Sequence, residues 1–148
     1  MRRLDPISFA YSVLLIAGLV GVADWLAPYE NLTVEGCVLN YVYDGDTVSL
    51  ECGVERITAR VLGLDAPEAK SPKCAAEKTL ADQATARLRA LSQEGAVSFA
   101  GYAHDKYQRM LVTMKVDGVD VAETLIAEGL AVRYAGGTRI DWCARLGA

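Results

Sequence analysis

Apolar residues recur along this chain at two spacings, and the spacing changes where the elements change. In 47–52, Val48, Leu50 and Cys52 alternate with Thr47, Ser49 and Glu51. A period of two turns one set toward a core and the other toward water, so the stretch is predicted to be a half-buried strand. β-Branched and aromatic residues predict neighbouring strands at 38–43 and 56–64. Met110, Val112, Met114 and Val116 alternate with Arg109, Leu111, Thr113 and Lys115, which predicts a strand at 110–116, preceded by a short one at 97–100. The methionines of that strand read as core, not as ligands. Over 74–91 the spacing becomes helical: Leu80, Ala84, Leu88 and Leu91 form one stripe, and Gly95 follows as a C′ stop. A second helix is predicted over 120–130, with Val121, Leu125, Ile126 and Leu130 inward and Asp120 at its cap. Five strands and two or so helices make an α+β chain that is mainly β, without internal repeats.

One stretch fits neither reading. Arg2 and Arg3 precede 18 residues, 6–23, that carry no charge, and Asp24, Trp25, Pro28 and Tyr29 follow. A cleaved signal peptide agrees with the basic start and with Gly21-Val22-Ala23 as a small-residue cleavage site. A membrane anchor, an N-terminal hydrophobic helix, agrees with the length. The run exceeds the roughly 7 to 15 residues of a signal's apolar region and approaches the roughly 17 to 25 that span a bilayer. Trp25 and Tyr29 suit an interface, so length favours the anchor, with the N-terminus cytoplasmic and the domain facing the periplasm or outside. Under either reading the remainder is exported, and 1–30 is set apart from a domain of 31–148 that can hold one small core.

Export changes the reading of the four cysteines, all of which lie beyond residue 30. In an oxidising compartment an even count points to disulfides. Four cysteines permit three connectivities; Cys37 and Cys52 are equidistant from the midpoint of Asp44 and Gly45, so a hairpin folded there would set them opposite each other and leave Cys74 with Cys143. The net charge of −4 argues against tight or processive nucleic-acid binding, which draws on phosphate neutralisation by Lys and Arg; it leaves room for transient contact. The single histidine, His104, cannot build a metal site alone and reads as a solvated loop residue.

The candidate chemistry is concentrated in Asp44-Gly45-Asp46-Thr47, Arg60 and Asp65-Ala66-Pro67-Glu68. Asp-Gly by itself is ordinary hairpin chemistry. Together, however, Asp46, Asp65 and Glu68 can hold a hard cation through oxygen, while a guanidinium among them neutralises a phosphate. Arg60 shares a strand face with Leu62 and Leu64, and Ile57, Ala59 and Val61 occupy the other face. A charge among apolar neighbours needs a partner, and the nearest in sequence are Asp46, Asp65 and Glu68. A second arginine closes Asp105-Lys106-Tyr107-Gln108-Arg109.

In order and spacing these motifs resemble the staphylococcal nuclease (thermonuclease) family over roughly 34–134. The resemblance implies a five-stranded OB-fold barrel that hydrolyses DNA and RNA, preferentially single-stranded or frayed, with calcium, freeing the 5′ oxygen and leaving 3′-phosphates. No obligate protein partner is implied. On the family pattern Asp46 and Asp65 fall on metal-binding carboxylates, joined by the Ala66 carbonyl. Glu68 falls on the residue that orients or activates water, and Arg60 and Arg109 on the phosphate-binding arginines. Lys106, Tyr107 and Tyr134 are read as substrate contacts and Thr47 as support for the metal cluster. Gln108 departs from the pattern, standing where the family has a glycine, and Ala66 stands where a threonine is known. A short ending over 135–143 replaces a helical C-terminal segment. The other class left open is a non-catalytic OB-fold module that binds single strands or a protein partner.

Overall fold

A tight turn at Asp44–Asp46 folds β1 (Cys37–Val42) back on β2 (Thr47–Cys52), and β2 pairs antiparallel with β3 (Glu55–Val61). The computed structural model describes Val34 and residues 36–148, which lie in one unit, Asn31–Ala148. The signal or anchor reading of 1–30 falls outside the described residues. Among the described residues no helix is long and apolar enough to cross a membrane.

The hairpin register sets Cys37 opposite Cys52, and the two form a disulfide with Cα atoms 4.2 Å apart. The predicted strand 56–64 is instead two strands in two sheets. β3 stops at Val61, and Gly63, at φ 87°, turns the chain into β4 (Gly63–Asp65). That left-handed conformation favours glycine. β4 leaves the main sheet and pairs with β8 (Val132–Tyr134), which carries Asp65 away from β3.

β6 (Met110–Val116) pairs parallel with β3 and antiparallel with β5 (Val97–His104). A two-residue β7 (Val119–Asp120) returns on β6 through Asp117 and Gly118, both at positive φ, a turn that suits the twist of a hairpin. The sheet therefore has six strands in the order β1-β2-β3-β6-β5, with β7 on β6. It differs from the expected five-stranded barrel in that no ladder closes β1 onto β5 among the described residues. β5 is longer than predicted and ends at His104, which is exposed.

α1 (Ala75–Glu94) buries Ala81, Ala84, Leu88 and Leu91, while Leu80, expected on that stripe, is only half-buried. Gly95 ends the helix in extended backbone, not as a left-handed C′ residue. Its role is spatial: a Cβ there would lie 2.0 Å from the Asp117 carboxylate, which accepts from the Ala96 N–H at 2.8 Å. α2 (Val121–Ala127) is capped by Asp120 as expected, through the Ala122 N–H at 2.8 Å. It is shorter than predicted because Gly129, at φ 73°, closes it with hydrogen bonds from Gly129 N to Ile126 O and from Leu130 N to Leu125 O. An unexpected α3 (Trp142–Leu146) follows, joined to the start of α1 by the Cys74–Cys143 disulfide. The core between sheet and helices is fully buried at Val48, Leu50, Leu64, Leu88, Val112, Met114 and Leu125, so Met114 is core as read.

Candidate functional site

The acid turn is built for close approach. The Asp44 side chain accepts from the Asp46 N–H at 3.0 Å, which tightens the turn. Gly45 lies so near α1 and the loop after β4 that an added Cβ would meet Ala66 Cβ at 2.7 Å and Ala84 Cβ at 2.9 Å. Asp46 is buried there, accepting from the Thr47 hydroxyl at 2.9 Å and from the Ala66 N–H at 3.2 Å. Thr47 thus orients Asp46. Burial pushes the Asp46 carboxyl up to about 7; Arg60 opposes the shift and Asp44 adds to it.

Arg60 joins the two acids. Its Nη1 lies 2.7 Å from Asp46 Oδ1, and its Nη2 lies 3.5 Å from Asp65 Oδ1 and 3.3 Å from the Leu64 carbonyl. Two of the three partners read from the sequence are therefore present. The third, Glu68, turns its carboxylate to another arginine. Asp65, at the end of β4, is 0% exposed, and its Oδ2 has no hydrogen-bond partner among the described residues.

Arg109 is aimed by Asp105, a residue to which the sequence reading gave no role. One carboxylate oxygen of Asp105 accepts from the N–H groups of Tyr107 (2.8 Å) and Arg109 (3.0 Å). The other receives Arg109 Nε at 2.8 Å and Nη2 at 2.7 Å. Burial works to raise the Asp105 carboxyl, but the bonds from Arg109 and Tyr107 prevail and hold it below the usual carboxylate range. Gln108 occupies φ 63°, so the glycine-like conformation is kept despite the side chain. Arg109 Nη1 then reaches the Thr47 hydroxyl at 3.5 Å, which brings the second arginine to the acid turn.

A cleft of about 1000 Å³ opens beside these groups, and Arg60, Glu68, Arg109, Lys106, Tyr107 and Tyr134 all line it. Tyr107 is well exposed, with Lys106 Nζ 4.9 Å and the Arg109 guanidinium 5.6 Å from its ring centre. The Tyr134 hydroxyl donates to the Gly137 carbonyl at 2.7 Å.

Two residues of the site escaped the sequence reading. Arg139 places Nε on Asp65 Oδ1, Nη1 on Glu68 Oε1, and Nη2 on the Ala66 carbonyl at 2.8 Å. No local pattern marks it, because its partners lie 71 to 74 residues away in sequence. Glu77 is buried in the first turn of α1 and accepts from the backbone N–H groups of Glu68 (3.3 Å) and Lys73 (2.7 Å). It fixes the backbone that carries Glu68. An acid three residues after a helix's first cap position is a readable signal for such a role. Glu77 also lies close to Cys74 and Cys143, but both sulfurs are consumed in the disulfide, so the three do not make a metal site.

The oxygen set suits a hard cation. A fully buried carboxylate oxygen without a partner is costly, and among the described residues Asp65 Oδ2 is one, in the acid that Arg60 ties to Asp46 and that precedes the Ala66 carbonyl in the chain. Oxygen-only donors of this kind are those calcium accepts.

The model of the family described as Staphylococcal nuclease homologue matches residues 58–141, a span that includes Arg60, Asp65, Glu68, Arg109 and Arg139. The chain is also similar to endonuclease YncB of Bacillus subtilis (strain 168), at 35% identity over 96 residues, covering 63% of this chain and 45% of that protein. It is similar to the SPbeta prophage-derived endonuclease YokF of the same strain at 35% over 96 residues, 63% of this chain and 32% of that protein. The matched region thus spans less than half the length of either relative. With acids, arginines and cleft in place and the family match covering more than half of the sequence, the chain belongs to the staphylococcal nuclease homologue family.

Proposed function

We propose that this protein is a calcium-dependent phosphodiesterase that cuts DNA and RNA, preferring single-stranded or frayed substrate. The observation that carries the reading is the convergence of Asp46, Arg60 and Asp65 in one buried cluster, with Arg109 tied to the same turn through Thr47. The relatives' names, both endonucleases, support it. So does the sheet order, in which a three-strand meander joins its second half through the parallel β3–β6 pair. That order supports an OB-type fold, whose open face takes single strands.

Asp46, Asp65 and the Ala66 carbonyl would hold the cation, which when bound polarises a phosphoryl oxygen and helps orient water. The chain's own groups do the rest. Glu68, fixed through its backbone by Glu77 and set in the cleft wall, accepts the proton of the attacking water or holds that water in line. The water oxygen bonds to phosphorus as the bond from phosphorus to the 5′ oxygen breaks; that oxygen takes a proton from solvent water in the open cleft as it leaves, and the phosphate stays on the 3′ side. Arg60 and Arg109 present forks to the non-bridging oxygens, where negative charge builds in the transition state. Lys106 draws the backbone in, Tyr107 offers an exposed ring to a base, and Tyr134 flanks the phosphate. All four cysteines are paired, which supports export to an oxidising compartment, either anchored to the membrane by 1–30 or released after signal cleavage.

The test is hydrolysis of single-stranded DNA by the oxidised protein with calcium and then with EDTA. Cutting is expected with calcium, is lost in EDTA, and falls by about 100-fold or more in Arg109→Ala. If the folded, disulfide-bonded protein binds single strands without cutting them, the non-catalytic module replaces this reading.

A further inference from the structure

We propose that Arg139 is an internal counter-ion that competes with the divalent cation for the acids of the site. The inference rests on reading Asp65 and Ala66 as cation ligands, and it assigns a function to a residue outside the motifs that suggested that reading. The guanidinium takes three oxygens at once, from Asp65, Ala66 and Glu68. Two of these belong to proposed ligands of the cation and the third to the group that handles water. A guanidinium seated on three of the site's oxygens takes up accepting lone pairs that a cation would use and sets a positive charge beside its seat, and like charges repel strongly where water is scarce.

The charge balance favours exchange. With Arg139 seated, Asp46, Asp65 and Glu68 pair among the described residues with two guanidiniums, those of Arg60 and Arg139, so with all three acids ionised the cluster keeps one net negative charge. A divalent cation in place of Arg139 would leave it neutral. Among the described residues Asp65 Oδ2 is also left unpartnered, a need that a guanidinium bound to the other oxygen does not meet.

The chain on either side is anchored, which keeps Arg139 near the site. Upstream, the Tyr134 hydroxyl holds the Gly137 carbonyl, and downstream Cys143 is bound to Cys74. The Arg139 side chain remains 35% exposed on the cleft wall, against 10% for Arg60, so it has water on one side into which it can withdraw.

The competition is measured by calcium titration calorimetry on the full-length oxidised protein, without nucleic acid, for wild type, Arg139→Gln and Arg139→Lys. Arg139→Gln is expected to bind calcium about tenfold more tightly, because the binding-competent fraction no longer excludes the seated arginine. Arg139→Lys, which keeps a point charge without the fork, should fall between the two. The metal-free Arg139→Gln protein should also melt below wild type, with the gap closing at saturating calcium. Calcium affinity in Arg139→Gln equal to or weaker than wild type overturns the competition and leaves the cation site standing. No calcium binding by any of the three folded proteins removes the cation site and this proposal with it.

Discussion

Two guanidiniums meet on Asp65 Oδ1, and they arrive from opposite kinds of structure. Arg60 comes from within β3, buried, with its acids 5 and 14 residues away in sequence. Arg139 comes from the stretch between β8 and α3, partly exposed, with its acids 71 and 74 residues away. Each region has its own disulfide. Cys37–Cys52 closes 15 residues of the hairpin that carries Asp46, and Cys74–Cys143 closes 69 residues up to the segment that carries Arg139. The contrast teaches that one half of this site is placed by strand register and the other by a tether, and the cation exchange proposed above makes the first the rigid half and the second the adjustable one. Chemistry that needs a fixed fork for phosphate and an exchangeable seat for a cation is served by such a division.

The largest expected effect comes from cutting the tether. In the chain-entropy account the stabilisation grows with loop length, so Cys74→Ser with Cys143→Ser should lower the unfolding free energy by about 4 kcal/mol, against about 3 kcal/mol for removing the hairpin bridge. Chemical denaturation of the two double variants measures this order. Hydrogen exchange sharpens it: loss of the long bridge should deprotect 135–146 while β1 and β2 keep wild-type protection. Deprotection of β2 by that change would mean the halves are not separable.

The same division explains what was legible in the sequence. β1, β2 and the Cys37–Cys52 pair could be read because a hairpin makes sequence distance equal spatial distance. Asp46, Arg60 and Asp65 could be read because a charge in an apolar strand must find acids close by. The break of the third strand at Leu62 could not, since β4 departs to pair with β8, whose residues lie some seventy positions later. Arg139 was invisible for the same reason. The extra strand β7 has two residues, too few to show a period of two. Asp105 and Gln108 stood in a quoted motif, but the motif shows the spacing and not which side chain clamps which.

Next in size is the clamp on Arg109, which tests whether the rigid half extends to the second arginine. Asp105→Asn removes a charged partner from Arg109 and should lower kcat/KM by about tenfold to 100-fold while leaving the fold intact. The pH dependence has a defined sign. Burial would raise the Asp105 carboxyl, but the hydrogen bonds from Arg109 and Tyr107 hold it below its ordinary range. A depressed carboxyl contributes stability that is fully present above its unfolded value, about 4, and is lost as the pH falls through the folded value. The stability gap between wild type and Asp105→Asn should therefore be constant from pH 7 down to about pH 5 and close only in stronger acid. A gap that closed near neutrality would mean that some other group holds Arg109.

The smallest effect is the most local, and its sign is the test. Gln108 sits at φ 63°, a conformation that costs a residue with a Cβ about 1 to 2 kcal/mol, and its N–H bonds the Asp105 carbonyl at 3.0 Å inside the clamp. Gln108→Gly removes that strain, but it adds about 0.5 to 1 kcal/mol of backbone entropy to the cost of folding. Relief should win narrowly, stabilising the protein by about 0.5 kcal/mol, with kcat/KM unchanged because Asp105 already fixes the direction of Arg109. If the glycine variant were instead destabilised, the Gln108 side chain would be supporting the loop through contacts of its own. If it gained activity without gaining stability, Gln108 would be holding Arg109 off its productive direction, and the clamp would be less rigid than the β3 arginine with which it is paired.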